Sequence, residues 1–127
     1  MTSESENLFS RFVFDSDKIN NNRVHFKAFQ PPKDMELSVQ KNGKLKHDEI
    51  RDIGEDIAKK RNQSLKGWGE IKGQAFLYES LDITVDNNPN KGHTKITGWP
   101  DTVERQENIM KNLAARSRPV LVESNAA

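Results

Sequence analysis

Leu81-Asp82-Ile83-Thr84-Val85-Asp86, answered after a loop by His93-Thr94-Lys95-Ile96-Thr97, is the stretch on which the fold turns. Apolar and polar residues alternate strictly in the first segment, so Leu81, Ile83 and Val85 share one face and Asp82, Thr84 and Asp86 the other. Asn87-Asn88-Pro89-Asn90-Lys91-Gly92 between the segments is built from turn formers. A hairpin closing symmetrically on that loop sets Ile83 against Ile96 on the buried side, Thr84 against Lys95, and Asp86 against His93 on the polar side. A slip of one residue would turn Ile96 into water, and this fixes the register.

The same reading extends outward. On the C-terminal side, Gly98-Trp99-Pro100 ends the hairpin, and Asp101 with Glu104 has capping-box spacing. Val103, Ile109, Met110, Leu113 and Ala114 then give a helical stripe, stopped by Pro119, so a helix is predicted over 101–116. Val120 to Val122 offers a short edge strand. On the N-terminal side, Ile50, Ile53, Ile57 and Ala58 recur at helical spacing. Asp48 and Glu49 sit in the first turn and Lys59, Lys60 and Arg61 in the last, as the helix dipole favours, so a helix is predicted over 47–61. Gly54 within it marks a close approach to a neighbouring element.

Further strands are expected at Phe12–Phe14, from Val24 towards Phe29, at Glu36–Gln40 with Leu37 and Val39 inward, and from Ile71 to Tyr78. Strands grouped around single helices predict an α+β fold, an antiparallel sheet of about five strands with the two helices packed on one face. The chain of 127 residues fits one domain over 8–123, with 1–7 and 124–127 as flexible tails. Its mean hydropathy of −0.88 is low. Even so, a chain of this length buries roughly two-thirds of the surface its unfolded form exposes, enough for one core.

Twenty basic against nineteen acidic residues leave a net charge of +1, so attraction to an anionic partner must come from a local patch. The absence of cysteine excludes disulfides, a thiolate nucleophile and cysteine zinc sites, and fits a cytoplasmic location. Met1–Asn7 is polar and acidic, unlike a secretory leader, and no apolar run is long enough to predict a membrane span. His25, His47 and His93 lie in separate elements, which predicts no metal site. Glycine-rich nucleotide loops and the serine-hydrolase elbow are missing from the sequence, and no cofactor is predicted.

Two constellations remain. His93 with Asp86 has the makings of a general acid–base pair, since a carboxylate opposite an imidazole fixes its tautomer or favours its charged form. No nucleophile can be set beside the pair from sequence. The second comprises Lys59, Lys60, Arg61, Lys66 and Lys72 around Trp68, basic side chains about an aromatic ring, as in a single-stranded nucleic-acid or other anion site. The competing expectation, and the favoured one, is that Trp68 turns inward over a core short of aromatics.

The functional expectation is therefore a small binding or adaptor module acting by macromolecular contact. A protein partner or self-association is favoured over nucleic acid because the net charge is near zero. The alternatives are nucleic-acid binding through the Trp68 segment and a small hydrolase-like enzyme using His93 and Asp86.

Overall fold

A computed structural model describes residues 4–122. They form a six-stranded antiparallel sheet: β1 (Leu8–Val13), β2 (Leu37–Lys41), β3 (Gly67–Lys72), β4 (Asp82–Val85), β5 (His93–Thr97) and β6 (Arg118–Leu121), in the spatial order β4-β5-β2-β1-β3-β6. Three α-helices accompany it: α1 (His47–Lys60), α2 (Gly73–Tyr78) and α3 (Val103–Arg116). This is the expected α+β class. No helix is long and apolar enough to cross a membrane. The expected tail residues 124–127, with 1–3, lie outside the described residues. Glu4–Glu6, expected in the other tail, form a 3-10 turn against α2, and Lys41 pairs with Glu4 at 3.1 Å.

The hairpin has the predicted register, with Ile83 opposite Ile96 and Thr84 opposite Lys95. Ile96 is fully buried. Directly paired residues of an antiparallel sheet share a face, so the pairings Phe9↔Ile71, Leu37↔Ile96 and Ile83↔Ile96 define one apolar face. Onto it pack Ala75 and Phe76 of α2, Met110 and Leu113 of α3, and Ala28 and Phe29. Phe9 and Phe76 meet edge to face at 6.1 Å between ring centroids, the geometry that aromatic quadrupoles prefer.

The opposite face carries the pairs Phe12↔Trp68 and Ser10↔Glu70, and α1 crosses it. A Cβ at Gly54 would stand 2.7 Å from the Phe12 ring and 2.8 Å from Leu65. The sequence signal for a close approach is thus explained by α1 lying directly on Phe12. The helices therefore divide between the two faces, and the expectation that both pack on one face does not hold. An amphipathic stripe specifies that a helix is covered, not which side of the sheet covers it.

Three local expectations also change. Phe26–Phe29 is a 3-10 turn rather than a strand, capped by His25 Nδ1, which accepts from Lys27 N at 3.1 Å; only Val24 bridges, to Ile19. The segment expected as one strand from Ile71 to Tyr78 is strand only to Lys72 and then becomes α2. The break falls at Gly73, where a Cβ would overlap the Glu4 carbonyl. Finally, α3 starts after Thr102, whose hydroxyl accepts from Arg105 N at 3.4 Å, rather than at Asp101.

Candidate active site

β1 and β2 are hydrogen-bonded neighbours only at Phe9↔Lys41 and Ser10↔Gln40. Beyond Ser10 the strands fork: β1 stays with β3 as far as Val13, and β2 stays with β5 back to Leu37. Buried backbone groups at a fork need substitutes for the lost ladder bonds. Arg11 supplies one, its Nη1 donating to Ser38 O of β2, while its Nε donates to Ala28 O of the 3-10 turn, both at 2.8 Å. Its pKa is pushed down to about 10, first by burial and then by the charge of Arg61. The fork opens a narrow cleft, lined on the polar face by Phe12, Ser38, Gln40, Ile57, Arg61 and His93 among others and reached through the gap by Arg11 from the other face, with about 40 Å3 of space accessible to water.

The hairpin loop is fastened to the wall of this cleft. Gln40 Nε2 donates to Lys91 O at 2.9 Å, Asn90 Nδ2 donates to Gln40 Oε1 at 2.8 Å, and Lys41 N donates to Gly92 O at 2.7 Å. Asp86 N in turn donates to His93 O at 3.0 Å, closing the hairpin next to the loop. The residues on either side of the loop, Asp86 and His93, are thereby held over β2.

The result is a chain of three side chains. His93 Nδ1 lies 2.6 Å from Asp86 Oδ1, and His93 Nε2 lies 3.1 Å from Ser38 Oγ. With Nδ1 donating to the carboxylate, Nε2 is the acceptor for the Ser38 hydroxyl. The hydrogen bond from His93 holds the Asp86 carboxyl below the usual carboxylate range against the opposing effect of desolvation, assisted by the Asn88 amide and the Lys95 charge. Lys95 Nζ stands 3.7 Å from Asp86 Oδ2 and 3.3 Å from Glu36. Its pKa is raised, chiefly by Glu36. His93 and Asp86 side chains are 17% and 22% exposed, so they are shielded but reachable.

The predicted pair of Asp86 and His93 is thus brought together, and Ser38 joins it. Ser38 was not among the sequence candidates because its approach depends on the pairing of β2 with β5, which joins segments 55 residues apart.

The Trp68 constellation is not assembled. Trp68 lies inside β3 and is only 2% exposed. Phe12 and His47 meet its ring edge to face, at 6.3 and 5.7 Å between centroids. This is the inward turn the core reading expects, and the ring has no free face for a base. Trp68 Nε1 finds no hydrogen-bond partner among the described residues. Lys66 and Lys72 flank opposite ends of β3, roughly 20 Å apart at strand spacing. Lys60 pairs with Asp56 along α1 at 3.1 Å, and Lys59 projects from the same exposed end. Arg61 alone of the set reaches the cleft, with its guanidinium 5.3 Å from the centre of the Phe14 ring.

His47 and Arg118 contact the buried Glu70 carboxylate at 3.3 and 2.7 Å, a cross-sheet tie that sequence reading also missed. Among the described residues no three His, Asp or Glu side chains converge as a metal-ligand set. No known protein family, no curated protein and no solved structure matches this chain.

Proposed function

We propose that the protein is a small hydrolase-like enzyme of the acyl-transfer type, with Ser38 as nucleophile, His93 as general base and Asp86 as the group that orients His93. The observation that carries this reading is the unbroken hydrogen-bonded chain Asp86–His93–Ser38 at the mouth of a cleft. A serine hydroxyl is a weak nucleophile until a base takes its proton, and an imidazole is a good base when its other nitrogen is held by a carboxylate. Each link falls within the reach such a proton transfer requires.

In the reaction, Ser38 Oγ attacks the carbonyl carbon of an ester while its proton passes to His93 Nε2. The tetrahedral intermediate expels the alcohol, which takes that proton, and leaves an acyl group on Ser38. Water then attacks the acyl carbonyl, giving a proton to His93 Nε2. Collapse of the second intermediate releases the carboxylic acid and returns the proton to Ser38. Asp86 stays ionised throughout and stabilises the imidazolium formed in each half. The water-accessible space at the serine admits one small group, so the acyl portion is short and the remainder of the substrate lies along the surface.

Turnover of p-nitrophenyl acetate tests the reading. The wild type should hydrolyse it, and Ser38→Ala and His93→Ala should each lose about a hundredfold or more while remaining folded. Wild-type turnover in Ser38→Ala would refute it.

Macromolecular contact is the second reading, and the sheet edges favour it. Among the described residues β4 and β6 end the sheet; β4 leaves a row of backbone donors and acceptors without a further strand, whereas Pro119 removes a donor from β6. Such rows are the usual template for a protein partner or a second copy of the chain. Concentration-dependent sedimentation, abolished by a proline within β4, is the expected behaviour for that reading.

A further inference from the structure

Next to the cleft at Ser38, past the fork, lies a wider cavity around the end of β1, with about 260 Å3 accessible to water. Arg11, Phe12, Phe14 and Arg61 line both. The charged groups of the wider cavity are Arg11, Lys18, Lys27 and Arg61 against one carboxylate, Asp15. Among the described residues none of these four cations is ion-paired. Asp15 is occupied in part by the backbone, accepting from Asp17 N at 3.0 Å. The chain as a whole is nearly neutral, so four unpaired cations about one hollow are not a reflection of overall composition.

Two guanidiniums that share a cleft repel one another; Arg61 is exposed and screened by water, while Arg11 is withdrawn from it and bears the cost. Their ordinary relief is a carboxylate from the protein. Here Arg11 is instead fixed by two backbone carbonyls, which hold it in position without neutralising it. Arg61 rests over the Phe14 ring. Arg11 is therefore oriented before any anion arrives, which lowers the cost of binding one.

We propose that this cavity is the anion subsite of the enzyme: Arg61, Lys18 and Lys27, with Arg11 at its junction with the cleft, hold a phosphate or carboxylate group of the substrate while the ester bond lies at Ser38. The substrate class is then a short-chain ester of an anionic alcohol or acid. The assignment of the ester bond rests on the hydrolase reading; the anion site itself does not.

The experiment separates the two. Inorganic phosphate is titrated into the full chain and into Ser38→Ala, with backbone amide shifts recorded by nuclear magnetic resonance. In both proteins, phosphate should shift the amides of residues 11–18, 27 and 61–63 in a saturable way. Arg61→Gln and Lys27→Gln should each weaken that binding about fivefold or more. In parallel, wild-type kcat/KM is compared for p-nitrophenyl acetate and for the mono-p-nitrophenyl ester of succinate. The anionic ester should be preferred, and Arg61→Gln should remove the preference. Absence of saturable shifts, or shifts that Arg61→Gln leaves unchanged, would overturn the anion subsite whatever the esterase assay gives. Phosphate binding without turnover of either ester would overturn the hydrolase reading and leave the subsite standing.

Discussion

The polar face of the sheet has two halves, and they differ in what lies on them. Over β3 and its neighbours, α1 covers Phe12 and Trp68, while Ile50, Ala58, Leu65 and Trp68 are all buried. Over β2 and β5 the same face carries Ser38, Gln40, His93 and Lys95, and only the C-terminal part of α1 reaches it, with Ile57 at the wall of the cleft. Along one strand pair the apolar half is a second small core and the polar half is a cleft. Catalytic groups need both shielding and access, and the boundary where a covering helix ends supplies the two together. The fork between β1 and β2 sharpens that boundary, because a continuous ladder would have closed the cleft floor.

If the apolar face carries the stability and the polar half the chemistry, mutations should separate the two. Phe76→Ala removes a fully buried ring against Phe9 and should destabilise by about 3–5 kcal/mol, read from the urea midpoint, while the geometry at Ser38 is untouched. Beneath α1 the effect should depend on position. Ile50 is 1% exposed, so Ile50→Ala should cost about 2–5 kcal/mol. Ile53, which the helical stripe ranks equally, is only half-buried and should cost clearly less in the same denaturation series. Equal losses at the two positions would mean that α1 is rotated relative to this account.

The smallest effect is expected at Asp86, and it depends on pH. Its carboxyl is held below the ordinary value of 3.8 in the folded protein, so its contribution is complete above the unfolded-state pKa. That contribution disappears as pH falls through the lower folded value. Urea midpoints of wild type and Asp86→Asn should therefore converge on acidification through the carboxylate range. Divergence there would mean that Asp86 is not the acceptor for His93.

Much of this division could be read along the chain, because period and turn chemistry are local. The hairpin register from Ile83↔Ile96 to Asp86 and His93, the span of α1 and the contact at Gly54 all follow from neighbours in sequence. The site's other half could not be read that way. Ser38 was recognisable as an outward residue between Leu37 and Val39. Its position beside His93 depends on β2 choosing β5 as partner, a choice between segments with equivalent alternation. Arg11 sits at a fork that no local pattern announces. No local alternation marks Trp68, flanked by glycines, as a strand residue, yet Gly67 and Gly69 are buried strand residues beside β6. The side of the sheet that α1 would cover was hidden for the same reason, since helix amphipathicity carries no information about sheet faces.

Covalent labelling tests most directly the proposal that Ser38 is an activated nucleophile. Wild-type protein treated with a fluorophosphonate should gain one phosphonyl group, located by peptide mass spectrometry on Ser38 and not on Ser10, Ser16 or Ser117. His93→Ala should slow the labelling by about a hundredfold, because the hydroxyl then has no base to take its proton. An unlabelled Ser38 in folded wild type, or labelling at the same rate in His93→Ala, would contradict the account.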